Sequence, residues 1–448
     1  MKSSLAILSL VAAASANQIF ESLSSSDLSS LEQQLTKWKT LYGPIAHANG
    51  FTPEGTLTTE SHTKMELVRF HETTLAVQEA SKANPLANFS VFNQFALLND
   101  AEFKQVLVQS FGNQTFSPDK GATLSEEAVG AGDSADWSSH KCNPPVRNQG
   151  QCGSCWAFST VGAVESAHCL ATGELIDLSE QQVVSCSTNG GSMGCNGGFP
   201  PSAIDYMQQG VCLQQDWPYS GQTGSCNKNC QKKKLSIGKT VQVSGESALQ
   251  SALTKQPVTV VVEAGNAVWR NYKGGVVTQC PGARSDHAVI AVGFGASSGQ
   301  FFKIKNSWGA QWGENGYIYL QRGVGGKGMC NVAEGVAYPT LQGGSPPPSP
   351  PNPRPSSNPR PSPSSSSPSP SSSSPWGPVA PTPAPGPAPV PSPDDPWGDD
   401  PSSDDPWGDD PSSSDPWDDN NNDDDDPWGD DDNNSDDPWG DDDNNNGW

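Results

Sequence analysis

All eleven cysteines of this 448-residue chain lie between Cys142 and Cys330. What that means for folding depends on the compartment, and the N-terminus bears on it. Lys2 precedes an apolar run from Leu5 to Ala14 that ends in Ala14-Ser15-Ala16. A basic start, a short apolar stretch and an A-x-A site read as a secretory signal peptide over residues 1–16, too short and wrongly flanked for an anchor. No later stretch approaches the ~20 apolar residues of a spanning helix. The mature chain is therefore expected to be soluble and exported, without a transmembrane anchor. In an oxidising compartment thiols pair. Eleven is odd, so at least one cysteine is left over, and a leftover thiol in an exported protein invites a chemical role.

The net charge of -24 is just as unevenly placed. From Ser345 to Trp448 there are 23 Asp against two Arg, a net of -21, so only -3 remains for the first 344 residues. The acidity belongs to the tail, and nothing in the rest calls for a nucleic acid partner. Residues 343–393 are a Pro/Ser-rich linker, extended and semi-rigid. Over 394–448, Asp-Pro-Trp recurs at Trp397, Trp407, Trp417, Trp428 and Trp439. The Asp, Asn, Ser and Gly between these copies cannot build a core, so the repeat tail is expected to be disordered. It could serve as a polyanion that docks on a cationic surface, or gather divalent cations loosely. The plain alternative is a solubilising extension.

Residues 18 to about 110 read as helical. Leu31, Leu35, Trp38 and Leu41 share one helix face. Ser29 with Glu32, or Ser30 with Gln33, offers a capping box. Leu57 to Asn84 lacks Gly and Pro and predicts a second helix, stopped by Pro85. The Gly-, Ser- and Glu-rich stretch 112–137 is an exposed connector suited to proteolytic cutting. From about Asp136 to Leu341 the composition is globular. A helix opens at Cys155, with Trp156, Val161 and Val164 at apolar positions, and closes at Thr172-Gly173. Short β-like runs follow at 257–264, 288–295, 301–306 and 316–322. The fold class is α+β, helices first and an antiparallel sheet or barrel second.

The stretch 148-NQGQCGSCWAFST-160 holds Cys152 and Cys155 as C-x-x-C. Structural zinc needs a second ligand pair, and Cys226/Cys230 is the only other close one, so no metal site is expected. A thioredoxin-like redox pair would follow a strand, and none precedes the motif. The third reading splits the pair: Cys152 is bridged elsewhere and Cys155 is a nucleophile. A helix start favours an anion, and a neighbouring imidazolium favours the thiolate. Of His140, His168 and His287, the last opens a β-run 132 residues on, and Asn306, at the end of the next run, could orient its ring.

QCGSCWAFS, SDHAV and KNSWG, in that order, resemble the three active-site segments of the papain and cathepsin L family of cysteine proteases. CNGGFP (195–200), WPY (217–219) and QWGENGY (311–317) extend the likeness over about Asp136 to Pro339. The resemblance implies a two-lobed fold, a helical lobe carrying Cys155 and an antiparallel β-barrel-like lobe carrying His287 and Asn306. It implies that Cys155 attacks, that His287 shares its proton and then protonates the leaving amine, and that Asn306 holds the ring. The side chain of Gln149 and the backbone N–H of Cys155 would form the oxyanion hole, and Trp308 would shield the His287–Asn306 contact. Substrate-binding positions would be Gly197, Gly198, Phe199, Pro200, Val261, Ser285, Gly335 and Trp308. By the same resemblance, Phe199, Pro200, Val261, Ser285 and Gly335 would form the second subsite, which would favour a hydrophobic side chain, with Glu334 adjacent to its floor. The implied disulfides are Cys152–Cys195, Cys186–Cys226 and Cys280–Cys330, which leaves the pairing of Cys142, Cys169, Cys212 and Cys230 open. No cofactor is implied.

The front region resembles the family's inhibitory propeptide through Arg69, Phe70 and Asn84, while Thr73, Ala76 and Ala80 depart from the pattern. Leu97 stands where the family has an Asp. The expected organisation is a signal peptide (1–16), propeptide and connector (17–130), catalytic domain (131–342), linker (343–393) and repeat tail (394–448). Asn88 and Asn113 open glycosylation sequons. The expected protein is a monomeric zymogen of a cysteine endopeptidase, secreted or delivered to a lysosome or vacuole. Its partners would be peptide substrates and its own propeptide. The alternative is a catalytically inactive papain-like binding or adhesion protein.

Overall fold

The computed structural model describes residues 20–56, 61–107, 111, 116, 134–227, 229–296 and 299–342. The expected signal peptide, most of the expected connector, the linker and the repeat tail lie outside the described residues, as does Asn113.

The N-terminal region begins with helix α1 (Ser25–Leu41). Its cap is Ser24, whose Oγ accepts from the Asp27 N–H at 3.2 Å. The serines expected to cap it, Ser29 and Ser30, lie inside the helix, because the earlier serine already satisfies the first-turn donors. Leu31, Leu35 and Trp38 are buried as the periodicity requires, but Leu41 is 53% exposed. After the short α2 (Gly43–Ala48) comes α3 (Lys64–Ala83). It starts at Lys64 rather than Leu57, at a reciprocal capping box. The Thr63 N–H donates to Glu66 Oε2 at 2.7 Å, and the Glu66 N–H donates to Thr63 Oγ1 at 3.1 Å. The helix ends before Pro85, as expected. Strand β1 (Ala87–Phe89) and helix α4 (Asp100–Leu107) complete the region.

The cysteine-rich region opens with the short β2 (Ala135–Asp136) and then α5 (Cys155–Thr172). Gly173, at φ 85°, closes α5 in the left-handed conformation that glycine adopts at least cost. Every residue of α5 from Cys155 to Cys169 is buried, so the helix is the axis of its lobe rather than an amphipathic cover. Helices α6 (Glu180–Cys186) and α7 (Pro200–Met207) pack around it, and Val161, Val164, Val183, Ile204 and Met207 form their shared core.

The second lobe is built on β3 (Ile237–Val243), β4 (Val258–Val262), β5 (Tyr272–Val277), β6 (His287–Gly295), β7 (Phe301–Lys305), β8 (Tyr317–Gln321) and β9 (Val336–Leu341). Helices α8 (Glu246–Leu253) and α9 (Ala267–Asn271) lie between strands. The order across the sheet is β1-β5-β8-β7-β6-β4-β9-β3, with β2 on β6. The pairs are antiparallel except β5–β8, which run parallel with Val276 opposite Tyr319, so the sheet is mixed. The lobes meet where α5 crosses β4 and β6. A Cβ added to Gly162 would lie 2.5 Å from Ile290 Cδ1, and Thr259 Oγ1 donates to the Ser159 carbonyl at 3.0 Å.

Ten cysteines form five disulfides. Cys152–Cys195, Cys186–Cys226 and Cys280–Cys330 agree with the expected pairs. The open four resolve as Cys142–Cys169 and Cys212–Cys230.

The N-terminal region is not a separate globule. Trp38, Phe51, Phe70, Phe95 and Phe103 belong to the same core cluster as Trp269, Trp308 and Trp312 of the sheet lobe. Strand β1 adds to the sheet edge with Ala87 opposite Gly275. Asn84 Oδ1 accepts the N–H groups of Thr278 and Gln279 at 2.9 and 2.7 Å.

Candidate active site

Cys155 takes no part in a disulfide. It is the first residue of α5, buried, and its position is set by the loop before it. The Cys152–Cys195 bridge ties that loop to 194–198, and the Gly153 N–H donates to the Cys195 carbonyl at 3.0 Å. Gln149 is fixed from both ends of its side chain: Ser307 Oγ donates to Oε1 at 2.6 Å, and Nε2 donates to the Cys152 carbonyl at 3.0 Å. The Gln149 N–H also donates to the Ser307 carbonyl at 2.9 Å, so the glutamine of one lobe is locked to the segment that carries Asn306 in the other. One amide hydrogen goes to Cys152, and a second remains for another acceptor.

His287 opens β6 and Asn306 follows β7. The two strands pair antiparallel, with Ile290 opposite Lys305, which brings their ends together. His287 Nε2 and Asn306 Oδ1 are 2.8 Å apart. The Ser307 N–H donates to the same Oδ1 at 2.8 Å. That contact fixes the amide with its oxygen toward the ring, so Nε2 carries the hydrogen and the neutral ring keeps its lone pair on Nδ1. Nδ1 has no hydrogen-bond partner among the described residues. Trp308 stacks on the imidazole at 4.9 Å and 25°, and Trp269 meets it edge-on at 6.3 Å. Burial pulls the His287 pKa down to about 4, and the Asn306 hydrogen bond only partly opposes it.

The expected substrate positions fall into two groups. Gly197, at φ 102°, and Gly198 form a strip beside Cys195. A Cβ at Gly198 would lie 2.4 Å from the Trp156 ring, so this backbone lies directly on the indole. Phe199 caps α7 and Pro200 is its first residue. Across the lobes, the Val261 N–H donates to the Gly335 carbonyl at 3.1 Å, and Ser285 Oγ donates to Glu334 Oε2 at 2.5 Å. The other carboxylate oxygen of Glu334 pairs with Lys327 at 2.5 Å.

Between these groups sits Phe116 of the connector. Its ring lies 4.9 Å from that of Phe199, and a Cβ added to Gly335 would be 2.3 Å from Phe116 Cγ. Sequence reasoning did not single it out. Its signal was that it is the one aromatic residue between Phe111 and Trp137.

Lys305 was also missed. It is buried, donates to Asn143 Oδ1 at 2.9 Å and to the Pro144 carbonyl at 2.7 Å, and so anchors the strand end from which Asn306 reaches His287. It lines a small cleft of about 20 Å³ with Glu165, Glu180 and Arg147. Burial pulls the Lys305 ammonium down to about 7 and, with Glu180 alongside, pushes the Glu165 carboxyl up to about 8. The two other histidines weighed as the base, His140 and His168, make local hydrogen bonds away from Cys155. His140 Nδ1 accepts from the Cys142 N–H at 3.2 Å, and His168 Nδ1 from the Ser236 N–H at 2.9 Å.

Residues 131–340 match the family model of papain family cysteine proteases. The chain is 40% identical to papaya proteinase 4 of Carica papaya over 55% of its own length and 72% of that protein's. It is 39% identical to the oryzain beta chain of Oryza sativa subsp. japonica, covering 57% of this chain but only 56% of that relative. The crystal structure of the ragweed pollen allergen Amb a 11, a cysteine protease in its proform, superposes with a TM-score of 0.58 at 31% identity, over 63% of this chain and 89% of that one. A recombinant stem bromelain precursor does so at 0.57 and 28%, over 68% and 99%. The chain belongs to the papain family of cysteine proteases. The likeness to proforms runs past the cysteine-rich region, which fits an N-terminal region of the propeptide kind.

Proposed function

We propose that the chain is an exported cysteine endopeptidase made as a zymogen, with residues 17–130 as the inhibitory segment and 131–342 as the enzyme. The observation that carries the reading is the His287–Asn306 pair, held at 2.8 Å under Trp308, in a chain whose one cysteine outside the disulfides opens α5. In this reading Nδ1 of His287 takes the Cys155 proton, and Sγ attacks the peptide carbonyl. The oxyanion is met by the remaining Gln149 amide hydrogen and the Cys155 backbone N–H. His287 then protonates the leaving amine, the thioester forms, and water releases it by the reverse sequence. Burial that keeps the imidazole neutral disfavours a thiolate–imidazolium pair, which suits a latent enzyme.

Phe116 against Phe199 and Gly335 supports a second subsite that takes a large apolar side chain. The carboxylate of Glu334, engaged by Ser285 and Lys327, argues against a basic preference. Among the described residues no helix is long and apolar enough to cross a membrane. Delivery to the exterior or to a vacuole rests on the signal-like N-terminus. The repeat tail, in the same spirit, would act as a docking polyanion or a loose collector of cations.

The test is alkylation of the processed protein by an epoxide directed at active-site thiols, together with cleavage of a peptide carrying Phe or Leu in the second subsite. The expected result is one label per chain and turnover, both lost in Cys155→Ala. Labelling that survives the substitution overturns the mechanism, and a labelled but peptide-inert protein turns the reading toward a binding scaffold.

A further inference from the structure

Arg270 belongs to the cysteine-rich region, but everything that satisfies its charge belongs to the N-terminal region. The side chain is 5% exposed. Nη1 contacts Asp100 Oδ1 at 3.0 Å and donates to the Leu98 carbonyl at 3.1 Å. The guanidinium lies 5.8 Å from the Phe103 ring centroid. The carboxylates that act on it are Asp100 first and then Glu72, both from the N-terminal region. Its Nε–H has no hydrogen bond among the described residues, and no carboxylate of the cysteine-rich region lies within salt-bridge distance of it among them. A buried guanidinium whose countercharges all sit on a departing segment does not stabilise the fold that remains.

Its place relative to the chemistry gives it another use. Arg270 follows Trp269 on α9, and the Trp269 ring meets His287 edge-on at 6.3 Å. Phe103, which covers the guanidinium, also packs on Trp308 at 5.6 Å, and Trp308 stacks on His287. In the mechanism proposed above, His287 hands its proton to the leaving amine. The peptide on the leaving side therefore runs past His287 over these indoles. An extended chain advances ~3.3 Å per residue, so the second or third residue after the scissile bond comes level with Arg270.

We propose that, once the N-terminal region has left, Arg270 forms a subsite on the leaving-group side of the cleft that takes an acidic side chain of the substrate. In the zymogen, Asp100 and the Leu98 carbonyl hold that place, and Phe103 covers it. A guanidinium presents a planar fork that matches a carboxylate, and it keeps its charge at every working pH. The assignment rests on the cysteine endopeptidase reading and adds a specificity to it.

The experiment uses processed enzyme freed of its N-terminal region and titrated at Cys155 by epoxide. Substrates are C-terminally amidated fluorogenic peptides, identical before the scissile bond, with Asp, Asn or Lys at the second or third position after it. Wild type is expected to prefer Asp over Asn by about tenfold in kcat/KM at low ionic strength, the size of a charge-assisted contact. The ratio falls as salt is raised. In Arg270→Met the Asp/Asn ratio drops to about one, and Arg270→Lys, which keeps the charge but loses the fork, retains part of it. A wild type that does not separate Asp from Asn overturns the proposal, as does a ratio that persists in Arg270→Met. So does an Arg270→Met protein that only weakens inhibition by the N-terminal region while the Asp/Asn ratio stays as in wild type. Failure of the mechanism itself looks different: no peptide is cleaved and Cys155 is not alkylated.

Discussion

The N-terminal and cysteine-rich regions share one hydrophobic core and are held in opposite ways. The cysteine-rich region is closed by five disulfides, spanning 18 to 50 residues of sequence separation. Residues 20–107 contain no cysteine. They attach through strand β1, the bonds accepted by the Asn84 side-chain oxygen, the bond from Gln94 Nε2 to the Trp308 carbonyl at 2.8 Å, and the packing of Phe95 and Phe103 on Trp308. Covalent loops constrain the unfolded chain and persist whatever the neighbour does. Burial and hydrogen bonds last only while both surfaces are present. On the proposed reading, the contrast teaches which part is built to leave: the N-terminal region holds through a reversible seam, and the cysteine-rich fold does not depend on that seam for its closure.

Phe95 is where this contrast is easiest to break. It is fully buried against Phe51, Phe103 and Trp308. Phe95→Ala should cost about 3–5 kcal/mol, the range for large-to-small changes in a core. In denaturant unfolding of the full chain carrying Cys155→Ala, the loss should fall on the transition of the N-terminal region and leave that of the disulfide-closed region in place. An equal shift of both transitions would erase the distinction.

A smaller effect sharpens the comparison from the site side. The His287 pKa in the folded chain is about 4, pulled below its unfolded value of ~6.5 by burial. A histidine with a depressed pKa contributes stability that is fully present above the unfolded value. That stability is lost as pH falls through the window from about 6.5 to about 4, because the unfolded chain then binds the proton first. Wild type should therefore lose up to about 3 kcal/mol more than His287→Asn across that window, and no more below it. Parallel stability curves for the two proteins would show that the imidazole is not held neutral in the zymogen.

The segments of the candidate site were legible because such chemistry would fix residue types at fixed places: Gln149, Cys155, His287 and Asn306 each sit in a short stretch whose neighbours are also constrained. Helix α5 and strands β4, β6, β7 and β8 were legible from capping glycine and runs of Val, Ile, Phe and Tyr. Strand β1, at three residues, and β3, with Lys, Thr and Gln in alternation with Val, carry too little apolar pattern to be seen alone. The start of α3 was readable in principle from Thr63 and Glu66, but a Gly- and Pro-free stretch upstream masked it. Spatial pairings were the real gap. Leu97 removes the carboxylate the family pattern would offer, and Arg69 instead makes a forked contact with Glu102 at 2.6 and 3.0 Å while donating to the Leu97 carbonyl. Neither that pair nor the clasp on Arg270 is visible from spacing, because both depend on how α3, α4 and α9 converge.

The most direct measurement compares the rate of Cys155 alkylation by the epoxide in the intact chain and in the same chain after cutting within 117–133 and separation of the N-terminal region. If a reversible seam masks a formed site, alkylation should be slow in the intact chain and at least about 10²-fold faster once the segment is gone, with the five disulfides unchanged, since each 1.4 kcal/mol of masking is about tenfold. Equal rates before and after removal would contradict the account.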